Sequence, residues 1–435
     1  MKFVIFSPIS AASAIGRVTA LLVDEFVRRG HTVTVVRTED ATLMASPPHA
    51  CEARLIGWTE DAAVAVAIGE ADQLIYQIGD NHPFHCGSLR WLPLAPGIVC
   101  LHDFFVANLF WEWARHHPAE ARRVLAQWYG PSAPTDFFHA SSSEEFFDKA
   151  SKHYFMTEWI CAMAHGVVTH SRWGLDRVAR ACAGPVQVLP LPYDAPGATP
   201  SAPRTGHRAG FINILSVGHA NSNKRIESVI RAIGSSELLR ERVTYRLCGA
   251  IDAQVALALA ALARSLRVEL TISGQTDGEA LQAAFREADI ICCLRWPSLE
   301  AGSASAIESL LYGKAMVVTN TGFYAELPDD CVRKISPDRE AIELPEVLEK
   351  LSADWEAREA LANRARTWAT QTFTAANYVE QLLDVSPRVA AAAPRIKMTR
   401  QLITQLAHWG ASGAVMAACG LAEPLHVFQQ ESSGR

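Results

Sequence analysis

No run of the sequence approaches the ~18 consecutive apolar residues that a membrane-spanning helix needs. The most apolar late stretch, Ala411 to Ala422, is short and interrupted by glycines. The chain passes from Met1 and Lys2 straight into a short apolar strand, without the longer apolar core and cleavage site of a secretory signal. Ten cysteines are scattered and none forms a Cys-x-x-Cys pair, which argues against both a zinc site and a disulfide framework. Several, such as Cys100, Cys292 and Cys293, sit in apolar runs, where cysteine behaves as a small hydrophobe. The expected setting is therefore reduced and cytoplasmic. No basic stripe accompanies the net charge of −6, so nucleic acid is not an expected partner. Gly-x-Gly-x-x-Gly is missing after the first strand, which argues against a dinucleotide site there. No Asp-x-Asp stands at a strand end, and no metal is expected. Disorder is excluded in turn: 49% of the residues are apolar, ample for sizeable cores, and 435 residues suggest two or three domains.

The most specific stretch runs from Ile290 to Leu327. The apolar run Ile290–Leu294 reads as a strand buried on both faces. A loop follows to about Ser303, containing Pro297 and Gly302. A helix is expected from Ala304 to Tyr312, closed by Gly313, and a second buried strand from Ala315 to Thr319. This is a βαβ unit whose loop lies at the carboxyl end of a strand, where open parallel sheets bind ligands. Gly302 permits close backbone approach, Ser303 and Ser305 offer hydroxyls, and the helix start offers free N–H groups, a combination that suits a phosphate. Glu300 stands just before the helix and Glu308 inside it. Each alone reads as a cap or a solvated helix residue; their joint spacing, with Gly313-Lys314 behind, carries the functional reading.

Strand and helix alternate through the rest of the chain. Strands are expected at Phe3–Ser7, His31–Val36, Leu74–Ile78, Gly97–Leu101, Val167–Thr169 and Val186–Pro192. The loop Pro8–Gly16 leads into a helix from Arg17 to Arg29. Phe104–Ala164 is helical and rich in aromatic residues; it reads as core packing, with an acceptor-facing lid or a membrane-surface patch as the sharper alternative. The segment 194–210, dense in Pro, Gly, Ala and Ser, reads as a linker. A second alternation follows, with strands at Ile212–Val217, Thr244–Cys248, Glu269–Ile272, Ile290–Leu294 and Ala315–Thr319. Ala390–Pro394 reads as a flexible stretch, and Met398–Trp409 as an amphipathic helix. The expected domains are 1–193 and 211–367; for 368–435, the resemblance described next implies a helix, Trp368–Leu382, that crosses back to pack on the first, with an extension. The fold class is α/β, with two Rossmann-like halves and a cleft between them.

The pattern Glu300-x7-Glu308, then Gly313-Lys314, then Val317-Val318, resembles the donor-site signature of the retaining glycosyltransferases of family 4, which have the GT-B fold. The string Leu294-Arg295-Trp296-Pro297, Ser303-x-Ser305, Gly322 and Glu326-Leu327-Pro328 is similar to one bacterial branch. The resemblance implies transfer of a sugar from a nucleoside-diphosphate sugar to a saccharide or lipid-linked acceptor. It points to bacterial surface polysaccharide or lipopolysaccharide assembly, at the inner face of the membrane with peripheral contact to it, without a cofactor. It implies that Glu300 contacts the transferred sugar, Glu308 the ribose, and His102, which ends a buried strand, the sugar or acceptor. Asn81 and His85 match a branch motif. Gly16 lies in the first loop, where the family touches phosphate or acceptor. A basic pair after Gly218 implies a diphosphate clamp: Lys224 matches its lysine, His219 stands where the family has arginine, and Arg225 or Arg295 is left to substitute. Gly274 opens the loop that the family uses for the nucleobase. Two other classes share these features, a nucleotide-sugar epimerase or hydrolase and a non-catalytic sugar-nucleotide-binding homologue; products without acceptor, or no turnover, would mark them.

Overall fold

In this computed structural model the described residues are 1–195, 211–276 and 278–410. The first half forms a seven-stranded parallel sheet from β1 (Lys2–Ser7), β2 (Thr32–Arg37), β3 (Arg54–Gly57), β4 (Gln73–Ile78), β5 (Ile98–Leu101), β6 (Gly166–Thr169) and β7 (Val186–Val188). Their order is β3-β2-β1-β4-β5-β6-β7. The second half forms a six-stranded parallel sheet from β8 (Ile212–Val217), β9 (Val243–Cys248), β10 (Glu269–Gly274), β11 (Ile290–Cys293), β12 (Ala315–Thr319) and β13 (Arg333–Ile335). Here the order is β10-β9-β8-β11-β12-β13. Strand direction of travel reverses beside β1 in the first sheet and beside β8 in the second. The crevices at the carboxyl ends of β1/β4 and β8/β11 are therefore the natural ligand positions.

Continuous apolar runs explain why both sheets are covered on two faces. In β1, Phe3 and Ile5 pack against the helix Ala14–Arg28 through Val18, Leu22 and Phe26. Val4 and Phe6 face the opposite layer. That layer holds the helices Asp61–Glu70 and His82–Trp91 against β1 and, beyond them, the aromatic stretch, folded as five helices between Ala107 and Met163. Phe110, Phe137 and Trp159 make edge-to-face contacts there, and none of the exposed large apolar side chains falls between 104 and 164. The core reading of this stretch therefore describes it, rather than the lid or membrane patch.

The edge strands β3 and β13 are not among the expected strands. At four and three residues they are too short to show a period of two. β7 ends at Val188, short of the expected Pro192. The first helix begins at Ala14, three residues earlier than expected, because Ser13 caps it by accepting from the Gly16 N–H. No flexible stretch interrupts residues 390–394. The helix Ala375–His408 runs on through Pro387 and Pro394, held by buried Val379, Leu382, Val385, Val389 and Ile396. It crosses back to the first domain. Val389 lies over Gly166, the Arg29 guanidinium donates to the Ala376 carbonyl, and Arg400 donates to the Ala162 and Ala164 carbonyls. Of the expected linker only Asp194 and Ala195 are described, and the extension from 411 lies outside the described residues.

Candidate active site

The loop after β8 enters one wall of the second crevice. Gly218 adopts φ +101°, and a Cβ there would lie 2.2 Å from the Lys224 ammonium. Glycine thus lets Lys224 fold back against the backbone, where its Nζ donates to the Val217 carbonyl at 3.0 Å. Burial lowers the amine to about pH 7, nearby Arg295 adds to that, and Glu300 works against it. The loop is pinned to its neighbour by the Trp296 N–H, which donates to the Asn223 carbonyl at 2.8 Å.

The loop after β11 supplies the other wall. Arg295 is 3% exposed; its Nε donates to Glu300 Oε1 at 2.9 Å. The Tyr324 hydroxyl donates to Glu300 Oε2 at 2.6 Å. Burial pushes the Glu300 carboxyl up, but Arg295, the tyrosine hydrogen bond and Lys224 outweigh it and hold the group below its ordinary value. Ser303 caps the helix Ala304–Leu311 by accepting from the Ala306 N–H, and its hydroxyl lies 3.3 Å from that of Ser305. Gly313, at φ +64°, closes this helix as expected.

The first domain meets this loop directly. Asp103 and Glu300 form an isolated antiparallel bridge. The Ala301 N–H donates to the His102 carbonyl at 2.9 Å, and the Phe104 N–H to the Leu299 carbonyl at 2.9 Å. His102 Nε2 lies 2.6 Å from Gln77 Oε1, and its ring packs against His170 with centroids 4.9 Å apart. Burial and the neighbouring histidines push His102 well below its usual value, so the ring is neutral; with Nε2–H given to Gln77, Nδ1 is left as an acceptor. The Asp103 carboxyl accepts from the Asp80 N–H, and burial, with Glu300 beside it, raises it to about 7. Gly302 allows this approach: a Cβ there would sit 2.9 Å from the His170 Cβ. At the far end, the Glu326 carboxylate accepts from the Arg172 and Trp173 N–H groups at 3.0 and 2.9 Å.

Glu308 is buried in the helix behind the loop. Arg17 reaches it from the first domain at 3.3 Å while donating to Asp194 at 2.6 Å, with its guanidinium over the Tyr193 ring. Burial raises the Glu308 carboxyl to about 7 even against this cation.

Comparison with known proteins agrees with this architecture. Residues 201–368 match the family model for glycosyl transferases group 1. The second half thus carries a glycosyl transferases group 1 domain within residues 201–368. No curated protein sequence matches it. Among solved structures, it is similar to a sucrose-phosphate synthase from Thermosynechococcus elongatus at 15% identity and TM-score 0.62, covering 90% of this chain and 100% of that one. It is similar to HepE of Anabaena, solved with UDP and glucose, at 14% identity and TM-score 0.56, covering 88% and 98%. WaaG, a glycosyltransferase involved in lipopolysaccharide biosynthesis, is similar at 16% identity and TM-score 0.55, covering 88% and 99%. These likenesses establish the GT-B fold, with its two facing Rossmann-like domains.

Within the glycosyltransferase framework, Lys224, Arg295 and Glu300 share one cluster, with Ser303 and Ser305 beside it and His102 arriving from the opposite domain. Other expected residues lie elsewhere. Arg225 does not join Lys224. Its guanidinium is taken by Glu340, with Nη2 at 2.7 Å from Oε1, and it lines an outer groove of about 670 Å³ with Asn221, Arg231 and Val255. His219 is exposed on the loop. Gly16 is not a loop residue but lies in the first helical turn, where a Cβ would meet the Pro8 carbonyl at 2.9 Å. The loop it was expected to serve spends its Ile9 and Ser10 N–H groups on the buried Glu39 carboxylate. Gly274 sits at φ +66° with open space around it, and its carbonyl accepts from the Gly249 N–H. His85 is turned inward, accepting from the Gly79 N–H, and the Asn81 side chain makes no cap for the helix that follows it.

Four residues of the seam were not among the expected site residues: Arg17, Asp103, Tyr324 and Glu326. Asp103 had a signal, since it follows His102 off a buried strand. Glu326 had one too, within the Glu-Leu-Pro string. Arg17 and Tyr324 had none, because each acts on a partner far away in sequence.

Proposed function

We propose that the protein is a retaining glycosyltransferase that moves a sugar from a nucleoside-diphosphate sugar to a saccharide or lipid-linked acceptor. The observation that carries this reading is the cluster of Lys224, Arg295 and Glu300 at the switch point of the second sheet, closed over by His102. Departure of the nucleoside diphosphate breaks the bond from the anomeric carbon to the phosphate oxygen, and the electron pair goes to the diphosphate. Lys224, Arg295 and the N–H groups at the start of Ala304–Leu311 are positioned to receive that charge. The acceptor hydroxyl oxygen attacks from the face the diphosphate leaves, and its proton passes to the departing phosphate oxygen. Glu300, fixed by Arg295 and Tyr324, holds the sugar as its ring gains positive character. His102 offers Nδ1 to a sugar hydroxyl, and Glu308 takes the ribose. The step is written with protein cations alone.

The likeness to HepE, solved with UDP, and to WaaG, an enzyme involved in lipopolysaccharide biosynthesis, supports a nucleoside-diphosphate donor and a role in surface polysaccharide assembly. No described helix is long and apolar enough to cross a membrane. Peripheral contact is part of the proposal: Met398, Leu402, Ile403 and Trp409 are exposed, in the stretch 385–409, which has no acidic residue.

Paired substitutions test the assignment. A thermal-shift screen against nucleotide sugars first finds a donor; a ligand at a hundred times its Kd adds ~2.7 kcal/mol. With that donor, Glu308→Gln should raise KM and weaken nucleoside diphosphate binding, with kcat less affected. Glu300→Gln should lower kcat by about one to two decades, the loss of a charge-assisted contact of ~1.5–3 kcal/mol, and leave diphosphate affinity nearly intact. The product's anomeric configuration, read by proton NMR, must match the donor's. An inverted product refutes retention; free sugar in the absence of acceptor assigns a hydrolase; parental behaviour in both variants removes the site.

A further inference from the structure

Arg17 joins three segments that the sequence keeps apart. It stands at the start of the first helix, binds Asp194 at the end of the first domain through Nε at 2.6 Å and through the Asp194 carbonyl at 3.1 Å, and reaches Glu308 in the second domain with Nη1. Its guanidinium plane lies over Tyr193 at 4.5 Å, and Nη1 also reaches the Tyr193 hydroxyl at 3.3 Å. The guanidinium is thus held by four hydrogen bonds and one ring face. Glu308 Oε1 receives Arg17, and among the described residues Arg17 is the one side-chain donor to this carboxylate. A carboxylate with one oxygen clamped has a fixed orientation and its other oxygen to offer as an acceptor.

We propose that Arg17 is a positioning residue of the donor site: it reaches across the cleft to clamp Glu308 Oε1, so that Oε2 is presented to the ribose hydroxyls of a nucleoside diphosphate. This rests on the ribose reading of Glu308 given above. It adds that nucleoside recognition is completed only when the two domains are together, because the clamp comes from the opposite domain. The groups facing Glu308 are Arg17, Tyr193 and Asp194 from the first domain and Tyr312 from the end of its own helix, with Arg286 beyond the tyrosine. Arg17 is the nearest cation. Burial raises the carboxyl and Arg17 lowers it, with the balance at about 7. Without Arg17 the carboxyl titrates higher still, and the neutral acid is the weaker acceptor for a hydroxyl.

The test isolates the ribose hydroxyls. Affinities of UDP and of 2′,3′-dideoxy-UDP are measured by calorimetry from pH 6 to 9, and likewise for the guanosine and adenosine pairs. The ratio within a pair cancels the ionisation of the diphosphate and of Lys224. In the parent, the ratio should climb as pH rises through about 7, where Glu308 ionises. In Arg17→Met the climb should move to higher pH, and the ratio at pH 7.5 should fall by about tenfold. Arg17→Lys should keep the parental midpoint with a lower ratio. Glu308→Gln should be flat, and adding Arg17→Met to it should change nothing further. If Arg17→Met does not fold, judged by circular dichroism, Arg17→Gln carries the same test. An unmoved midpoint with an unchanged ratio, or tighter binding by Arg17→Met, overturns the proposal. A parental ratio of one, shared by Glu308→Gln, instead removes the ribose reading of Glu308 itself, while diphosphate binding stays available to test the rest of the site.

Discussion

Lys224 shows how a single residue couples site chemistry to stability. Its amine, lowered to about 7 chiefly by burial, has an ordinary value of 10.5 in an unfolded chain. Between those values the unfolded chain binds the extra proton, so stability rises with pH across that window; below about pH 7 the whole cost of enclosing the cation is present. Lys224→Met should therefore stabilise the protein at pH 6 by on the order of a few kcal/mol, with the gain gone by pH 10, as read by urea denaturation. The same variant should lose about one to two decades of nucleoside diphosphate affinity at pH 6.5. Diphosphate binding to the parent at pH 8 should take up a proton, seen by calorimetry in buffers of different ionisation enthalpy. A stability difference that ignores pH would mean that the amine is solvated and that its role as an enclosed clamp is wrong.

At the scale of an element, the loop after β11 does its work through the absence of one side chain. The Gly302 backbone lies close enough to His170 and Leu191 that a Cβ would fall 2.9 Å and 3.4 Å from their side chains, and the first of these is a Cβ with no freedom to swing away. Gly302→Ala must displace the loop or the strand end facing it, at ~1–3 kcal/mol. The Ala301 to His102 hydrogen bond lies one residue away. We expect kcat to fall at least about tenfold, since a misplacement of about 1 Å costs up to a hundredfold, with diphosphate affinity falling less because Lys224 is on another loop. Gly69→Ala is the control: it sits in the helix Asp61–Glu70 with nothing within 4 Å, and should be neutral or slightly stabilising. Equal melting temperatures and rates for both variants would show that the seam tolerates a methyl group and does not set the geometry.

Across the whole molecule, polar contacts line the domain boundary beside apolar packing, in which Leu299 and Ala301 of the second domain enter the core of the first. Glu326 accepts two backbone N–H groups of the first domain, and the Asp103–Glu300 bridge and the Arg17–Glu308 pair lie further along the same boundary. Polar contacts of this kind can be broken and remade as domains move about a hinge. Glu326→Ala leaves the Arg172 and Trp173 N–H groups without their acceptor, and should increase the radius of gyration of the ligand-free protein in small-angle scattering. Nucleoside diphosphate should restore the compact value. A radius unchanged by both the substitution and the ligand would mean that Glu326 does not govern closure.

Much of this was readable in the sequence because it depends on local order. Most of the strands carry apolar runs, so eleven of the thirteen described strands announced themselves, and with them the two Rossmann-like halves. Glu300, Ser303, Ser305 and Glu308 share one loop and helix, so their spacing alone placed them together. Lys224 could be read for the same reason, from a glycine and a strand end. The tertiary structure decided what depends on distance along the chain. Arg225 and Lys224 are adjacent in sequence, yet a left-handed residue at 225, φ +55°, turns the arginine out to Glu340. Arg295, which the sequence offered only as one substitute of two, is the cation against Glu300. Arg17 meets Glu308 across 291 residues, and no local pattern encodes such a pair. The short edge strands β3 and β13 exist because a neighbour supplies their hydrogen bonds, not because their own residues demand extension. The helix through Pro387 and Pro394 persists because its apolar face is buried on the first domain. Local propensity set the elements; packing between distant segments set which side chains face the cleft.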